Sequence, residues 1–153
     1  MMWEALFTWP TFVVSTLAIA ISCICVVLHY EVLSWLHRLL SRLTGPRRQR
    51  VLLLIFVVLA LHSLEIFLFA LGYLFLLGDP QYGSLQGIAT TGIIDLGYFS
   101  AVAFTTLGLG DILPQGAIRI LVGPEALVGF VLITWSASFT FIEMQRYWTD
   151  SRD

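Results

Sequence analysis

Three long apolar stretches dominate the pattern of hydrophobic and polar positions along the chain. They cover residues 11–36, 51–77 and 118–142. An α-helix needs about 20 mostly apolar residues to cross the hydrocarbon core of a bilayer, and each stretch exceeds that length. Each is therefore predicted to form a membrane-spanning helix.

A fourth apolar stretch is too short to span a membrane. The connection between the second and third spans, residues 78–117, opens with an exposed loop containing Asp79-Pro80. Asp95 is the predicted N-cap of an apolar helix that covers residues 96–105. Such a helix extends about 15 Å, or half a bilayer. It is predicted to be re-entrant, and the non-helical segment 106–111 behind it is predicted to line a polar space.

The composition agrees with a membrane protein. Of the 153 residues, 58% are hydrophobic and only 12% are charged, whereas soluble domains are roughly a quarter charged. The first four residues carry no Lys or Arg and no small-residue cleavage pattern follows, so no cleavable signal peptide is expected. We expect an integral protein of a prokaryotic cytoplasmic membrane.

The positive charges are concentrated between the first two spans. The chain has no Lys, and five of its eight cations lie in this connection: Arg38, Arg42, Arg47, Arg48 and Arg50. Cytoplasmic connections are enriched in such residues, which predicts an external N-terminus and a cytoplasmic C-terminus. The cluster is also a candidate contact for anionic lipids, although its role as a topology signal already explains it.

The chain divides into three predicted regions. Residues 1–50 hold the first span and the Arg-rich connection, residues 51–148 hold the other two spans with the re-entrant segment, and residues 149–153 form a short cytoplasmic tail. No separate soluble domain is expected. No voltage-sensing span is expected either, because no span carries Arg at every third position.

The segment Thr105-Thr106-Leu107-Gly108-Leu109-Gly110-Asp111 carries the chemistry. A dehydrated cation needs a ring of oxygens, and stacked backbone carbonyls provide one if the chain turns them all inward. Gly108 and Gly110 permit the dihedral angles that this requires. Thr106 adds a hydroxyl oxygen, and the preceding helix directs the negative end of its dipole at the cavity.

Residues 98–111 resemble the pore helix and selectivity filter of potassium channels, whose filter pattern is T-V-G-Y-G-D. The resemblance extends over residues 51–148, the two-span pore module, and leaves the first span outside. It implies a homotetramer, because four filter segments surround one axis and this chain has one. It also implies potassium ions coordinated by the carbonyls of Thr106, Leu107, Gly108 and Leu109, with the Thr106 hydroxyl closing the innermost site and Gly110 completing the filter.

The resemblance also implies residues that support the filter. Asp111 is expected just outside the filter mouth, Thr105 before its inner end, and Tyr98 and Phe99 on the pore helix beside it. Two positions depart from the family pattern, because Leu109 replaces the usual Tyr or Phe and Val102 stands where many members have Glu.

Glu125, which follows Gly123-Pro124, is the candidate to replace the carboxylate that is absent at Val102. It is expected to bond the back of the filter or the pore helix. The alternative is a carboxylate in the early turns of a helix, where the helix dipole favours it.

The third span carries the predicted inner wall of the pore. Gly129 is a candidate hinge, and close helix packing is the equally weighted alternative. Four residues with helical spacing are predicted to line the cavity: Val131, Thr134, Ser138 and Ile142.

Polar residues inside the other spans need partners. A carboxylate in mid-span costs about 2.5–3.5 kcal/mol on insertion scales, so Glu65 is predicted to face protein and to pair with His62, one turn away. Proton-sensitive gating by this pair is an open alternative, and metal ligation is a weaker one. Cys23 and Cys25 are two residues apart on a helix, so they are not expected to pair with each other.

We therefore expect an all-α membrane protein with three spans, a re-entrant pore helix and a selectivity filter in each subunit of a tetramer. The predicted function is passive, potassium-selective conduction rather than an enzymatic reaction. Potassium in the filter is the expected bound ion, with no organic cofactor. Three further copies of the chain and membrane lipids are the expected partners, and nucleic acid is not. The alternatives are a weakly selective cation channel and a non-conducting scaffold or regulatory subunit.

Overall fold

The computed structural model describes residues 8–43, 46–87 and 92–149. Its helices are α1 (Trp9–Arg42), α2 (Arg47–Leu76), α3 (Ile93–Phe104) and α4 (Arg119–Thr149). Three of them, α1, α2 and α4, are long and apolar enough to cross a membrane, which confirms the three predicted spans. The predicted external N-terminus (residues 1–7) and the end of the tail (residues 150–153) lie outside the described residues.

Helix α1 packs antiparallel against α2. In the first half of α1, Ile21 lies against Gly72, where an added Cβ would come within 2.6 Å of the Ile21 side chain. Two turns further along, His29 contacts Glu65. Residue numbers therefore decrease along α2 as they increase along α1, so the two helices are antiparallel. Glycine at position 72 allows them to approach closely.

Helix α1 also packs parallel to α4, through two polar contacts. The His29 ring lies 3.2 Å from the Ser136 hydroxyl, and His37 lies 2.8 Å from Glu143. Arg146 donates to Glu143 from one turn further along α4. The first span is thus packed against both helices of the predicted pore module.

The buried positions of α1 follow one helical face. Cys25 is fully buried on that face, whereas Cys23 is exposed, as their two-residue spacing predicts. Phe69 and Leu121 from the neighbouring spans belong to the same core, which also contains four residues of α1 at helical spacing: Val14, Ala18, Ile21 and Cys25.

The Arg residues lie on helices rather than in a long connection. Arg38 and Arg42 belong to the last turns of α1, and Arg48 and Arg50 to the first turns of α2. The Arg-rich connection predicted between the first two spans is therefore largely helical in the described residues. Arg favours helices, so both helices continue through the charged region.

Two short strands pair with each other in the connection between α2 and α4, one before α3 and one after it. Strand β1 (Ser84–Gln86) pairs antiparallel with β2 (Leu113–Gln115), so that Leu85 lies opposite Pro114. Beside this pair Gly83 and Gly116 have positive φ angles of 124° and 80°, and an added Cβ on Gly116 would lie 2.9 Å from the Gly83 Cα. The sheet was not predicted, because three-residue strands are too short to produce a recognisable alternation.

The re-entrant helix α3 begins earlier than predicted. Its N-cap is Gly92, and Asp95 lies in the first helical turn, so the prediction of Asp95 as the N-cap is wrong. The helix gains Ile93, Ile94 and Asp95 and ends at Phe104, one residue before the predicted end, so it has 12 residues, or about 18 Å. Asp95 still lies near the positive end of the helix dipole, which favours a carboxylate there.

Candidate functional site

The segment after α3 begins with hydrogen bonds back to the helix. Thr105 is the C-cap, and both its backbone N–H and its hydroxyl donate to the Ala101 carbonyl. The Thr106 N–H donates to the Ala103 carbonyl at 3.0 Å. These hydrogen bonds fix the direction in which the chain leaves α3 after Thr105.

The Val102 carbonyl holds the next two residues. It accepts the N–H of Leu107 at 3.0 Å and the N–H of Gly108 at 3.4 Å. In a trans peptide the carbonyl points opposite to the N–H of the following residue, and the described residues contain no cis peptide. The carbonyls of Thr106 and Leu107 therefore both point away from α3.

The φ angle is positive at every second residue of this segment. The angle is 58° at Thr106, 57° at Gly108 and 77° at Gly110, whereas it is not positive at Leu107 or Leu109. In an ordinary strand successive carbonyls point to opposite sides, and reversing the sign of φ at alternate residues turns them to the same side. The carbonyls of Thr106 and Leu107 point away from α3, and the alternating φ angles continue this orientation towards Gly110.

Thr106 adopts the least usual of these conformations. It is the one non-glycine residue with a positive φ among the residues that the structure describes. A β-branched side chain resists this conformation, which costs of order 1–3 kcal/mol. At Gly108 and Gly110 an added Cβ would meet nothing within 4 Å, so the backbone angle rather than lack of space requires glycine.

The aromatic residues predicted to support the filter have different partners. The Tyr98 hydroxyl donates to Asp111 at 2.7 Å, and this hydrogen bond raises the pKa of the Tyr98 phenol. Phe99 is buried and packs edge-on against Tyr73 of α2, with ring centroids 5.0 Å apart. Leu109 is 58% exposed on the chain. Tyr98 thus contacts the outer end of the segment, while Phe99 anchors α3 to α2.

Glu125 joins three helices. It is fully buried on α4 and accepts hydrogen bonds of 2.5 Å from Ser100 on α3 and from Tyr73 on α2. The Ser100 hydroxyl also lies 2.8 Å from the Ile66 carbonyl. The carboxylate thus contacts the pore helix, one of the two places expected. Sequence reasoning did not identify Tyr73 and Ser100, because a hydroxyl in an apolar run does not reveal its partner.

Gly129 lies directly beneath the end of α3. An added Cβ would lie 2.0 Å from the carbonyl oxygen of Phe104 and 2.9 Å from its ring. The backbones of α3 and α4 therefore approach closely at this point, which requires glycine for packing. The hinge role stays a prediction.

The four predicted cavity-lining residues all lie on the exposed surface of α4: Val131, Thr134, Ser138 and Ile142. The Thr134 hydroxyl bonds to the carbonyls of Phe130 and Val131, and the Ser138 hydroxyl donates to the Thr134 carbonyl. Both hydroxyls lie on the same exposed face as Val131 and Ile142. Their role in lining a pore stays a prediction.

His62 and Glu65 are in contact, and a third residue joins them. His62 Nδ1 lies 2.9 Å from Glu65 Oε2, and Nδ1 of His29 on α1 lies 2.9 Å from Glu65 Oε1. The opposite nitrogen of His29 faces Ser136 on α4. Sequence reasoning did not identify His29, because it lies 36 residues from Glu65 and the pattern of α1 does not indicate its partner.

Comparison with known proteins gives one finding. A family model described as "Ion channel" matches residues 60–146, which is more than half of the chain. This range begins in α2 and ends in α4, so it includes α3 and the segment with alternating φ angles. Comparisons with curated proteins and with solved structures gave no significant match.

Proposed function

The chain belongs to the ion channel family of the two-span pore module, and on this premise we propose that it is a potassium-selective channel subunit. Potassium ions pass down their electrochemical gradient between successive sites in the segment 106–110. Each site replaces the hydration shell of the ion with backbone carbonyl oxygens. Transport requires no covalent chemistry.

One observation carries the proposal: positive φ angles alternate along Thr106, Gly108 and Gly110. Together with the two amides that donate to Val102, this alternation supports a row of carbonyls on the side away from α3. Such a row is what a dehydrated cation needs. An ordinary turn has no physical reason to repeat an unfavourable angle at every second residue.

The surroundings of this row also favour a cation. Helix α3 ends at Phe104 with Thr105 as its C-cap, so the negative end of its dipole lies at the inner end of the row. Asp111 places a carboxylate at the outer end, held by Tyr98. Both ends therefore attract positive charge and disfavour anions.

A complete ion path needs more than one chain, and we propose a homotetramer. A single row of carbonyls surrounds no ion, whereas four rows around an axis form the required rings. Leu107 and Leu109 are 62% and 58% exposed on the isolated chain. In a tetramer neighbouring subunits cover these leucines, and the exposed face of α4 lines the cavity.

Flux through purified protein in liposomes tests the function. We expect potassium flux from the wild-type chain and a reversal potential that follows the potassium gradient in mixed sodium and potassium. Gly108→Ala is expected to abolish flux, because a Cβ resists the φ angle of 57°. Gly97→Ala is the matched control, since Gly97 lies within α3 and an added Cβ there meets nothing within 4 Å.

Each departure from this result identifies a different alternative. Equal permeability to sodium and potassium would make the protein a weakly selective cation channel. A folded tetramer without flux would make it a scaffold or regulatory subunit. Flux that survives Gly108→Ala unchanged would place the ion path elsewhere.

A further inference from the structure

Three side chains from two spans meet in the middle of the membrane-spanning region. Nδ1 of His29 and Nδ1 of His62 each lie 2.9 Å from a different oxygen of Glu65. One ligand atom from each residue lies within 4.8 Å of the other two. His29 and Glu65 are fully buried, and the His62 side chain is 14% exposed.

The cluster holds one carboxylate between two imidazoles. Glu65 contacts a different histidine through each of its oxygens, and all three side chains are common ligands of metal ions. A carboxylate that is buried within a span is costly unless a cation compensates it. His29, His62 and Glu65 together form a mixed nitrogen and oxygen donor set, which suits a divalent transition metal better than magnesium or calcium.

We propose that His29, His62 and Glu65 bind one zinc ion per chain. Zinc takes imidazole nitrogen and carboxylate oxygen as ligands at about 2 Å, which places tetrahedral ligand atoms roughly 3.3 Å apart. The three donor atoms already lie within 4.8 Å of one another, so small side-chain rotations form the site. The fourth position is filled by water or by an anion, as in other three-ligand zinc sites.

Ser136 orients one of the ligands. Its hydroxyl lies 3.2 Å from Nε2 of His29, on the opposite side of the ring from Glu65. A histidine that binds a metal commonly uses its second nitrogen for such a hydrogen bond, which fixes the tautomer and the ring plane. Before an ion binds, Nδ1–H of His29 donates to Glu65. When the ion binds, the ring proton resides on Nε2, where the Ser136 oxygen accepts it, and the lone pair of Nδ1 becomes available to the ion.

The cluster borders a groove at the surface of the chain. A largely apolar groove between α2 and α4 is lined by Ile55, Leu59, His62, Ile133, Ser136 and Thr140. His62 of the cluster and Ser136, which contacts His29, both line this groove. A bound ion would link α1 to α2 and so attach the first span, which lies outside residues 60–146, to the pore module.

Cobalt absorption tests the site without any measurement of conduction. Tag-free full-length protein in nanodiscs is titrated with CoCl₂, and tetrahedral cobalt is detected by its intense visible bands. We expect saturation at one cobalt per chain, displacement by ZnCl₂, and a zinc-dependent rise in the thermal unfolding midpoint. His29→Gln and His62→Gln are each expected to weaken cobalt binding by at least about tenfold.

His37→Gln is the matched control. His37 lies on α1 like His29 and also contacts a glutamate, Glu143, but its side chain is 43% exposed and belongs to no three-residue cluster among the described residues. Cobalt binding by this variant should equal that of the wild type. Loss of binding in His37→Gln alone would move the site to the other end of α1 and overturn the proposal.

Two further results would overturn it. One is a folded wild-type protein that shows no saturable tetrahedral cobalt spectrum, which would leave the cluster as a hydrogen-bonded triad or a proton-sensitive element. The other is unchanged binding in both glutamine variants. If these variants do not fold, Ser136→Ala replaces them, because loss of the orienting hydroxyl should weaken binding about tenfold and unchanged affinity would contradict the assigned geometry.

Discussion

At the scale of single residues, Leu109 is a position at which the proposed filter departs from the pattern it resembles. Its side chain can pack but cannot donate a hydrogen bond, whereas Tyr98 already donates to Asp111 nearby. We expect Leu109→Tyr to raise the ratio of potassium to sodium permeability severalfold, because an anchored ring resists contraction around the smaller ion. Bi-ionic reversal potentials measure this ratio. An unchanged or lower ratio in a conducting tetramer would show that stiffness at this position does not limit selectivity.

Tyr98 gives a second prediction at this scale, from its pH dependence. Its hydrogen bond to Asp111 raises the phenol pKa above the ordinary value of 10.0. The folded state therefore retains the proton more strongly than the unfolded state. The stabilising contribution is fully present below pH 10.0 and is lost as the pH rises through the higher folded pKa.

Ultraviolet titration of the wild type against Tyr98→Phe isolates the ionisation of this phenol. Asp111→Asn should shift the phenol pKa back towards the ordinary value, because the amide oxygen accepts a weaker hydrogen bond from the phenol and carries no negative charge. A titration that is the same with Asp or Asn at position 111 would contradict the assigned contact.

The two histidine contacts of Glu65 show how far residue-level prediction reached. The pairing with His62 follows from helix geometry, since residues three apart share a face. His29 belongs to another span, and nothing local in α1 distinguishes a buried partner from an isolated polar residue. Local contacts could thus be predicted from the sequence, while contacts between helices needed the fold.

At the scale of helices and strands, the contact between α3 and α4 at Gly129 has a direct consequence. A methyl group there would overlap the Phe104 carbonyl at 2.0 Å. We expect Gly129→Ala to destabilise the fold by at least about 1–3 kcal/mol, because overpacking forces the backbones apart. Thermal unfolding measures the loss, and potassium flux should fall as the end of α3 moves.

Gly123→Ala is the control for this prediction, because an added Cβ at Gly123 meets nothing within 4 Å and the residue lies on the same helix. If Gly129→Ala folds as stably as the wild type but gates differently, then the hinge role replaces the packing role.

The spans could be predicted because bilayer thickness demands one long apolar run for each helix. The short elements could not. Strands β1 and β2 have three residues each and pair across the whole of α3, so their alternation is too brief to recognise and their partners are far apart. The start of α3 was misplaced because a carboxylate stabilises both the N-cap and the first helical turn.

At the scale of the whole molecule, the orientation in the membrane stays a prediction from the charge distribution. We expect the end that carries Arg38 and Arg42 to be cytoplasmic and the β1–β2 sheet to be external. Cysteines at Ser41 and at Ser84, which are both exposed, report each side to an impermeant thiol reagent. The background needs Cys23→Ala and Cys25→Ala, because Cys25 is buried and tolerates an apolar replacement best.

In intact cells, position 84 should be labelled and position 41 should be protected until the membrane is permeabilised. Labelling of position 41 from outside would reverse the orientation. Permeabilisation that leaves position 41 unlabelled would instead indicate burial at that site, and a second cysteine at Ser151 then reports the same side.

The β1–β2 sheet has a consequence for how the channel can be rebuilt. It holds Ser84 opposite Gln115, so strand pairing closes the two ends of the segment that carries α3 and residues 105–111. We expect residues 84–115 to be exchangeable between channels as a cassette when Tyr73 and Glu125 are carried with them. The closure entropy of the loop is met by its own strand pairing, and these two residues hold α3 to α2 and α4. In a chimera that receives this cassette, ion preference should follow the donor while the opening stimulus stays with the recipient.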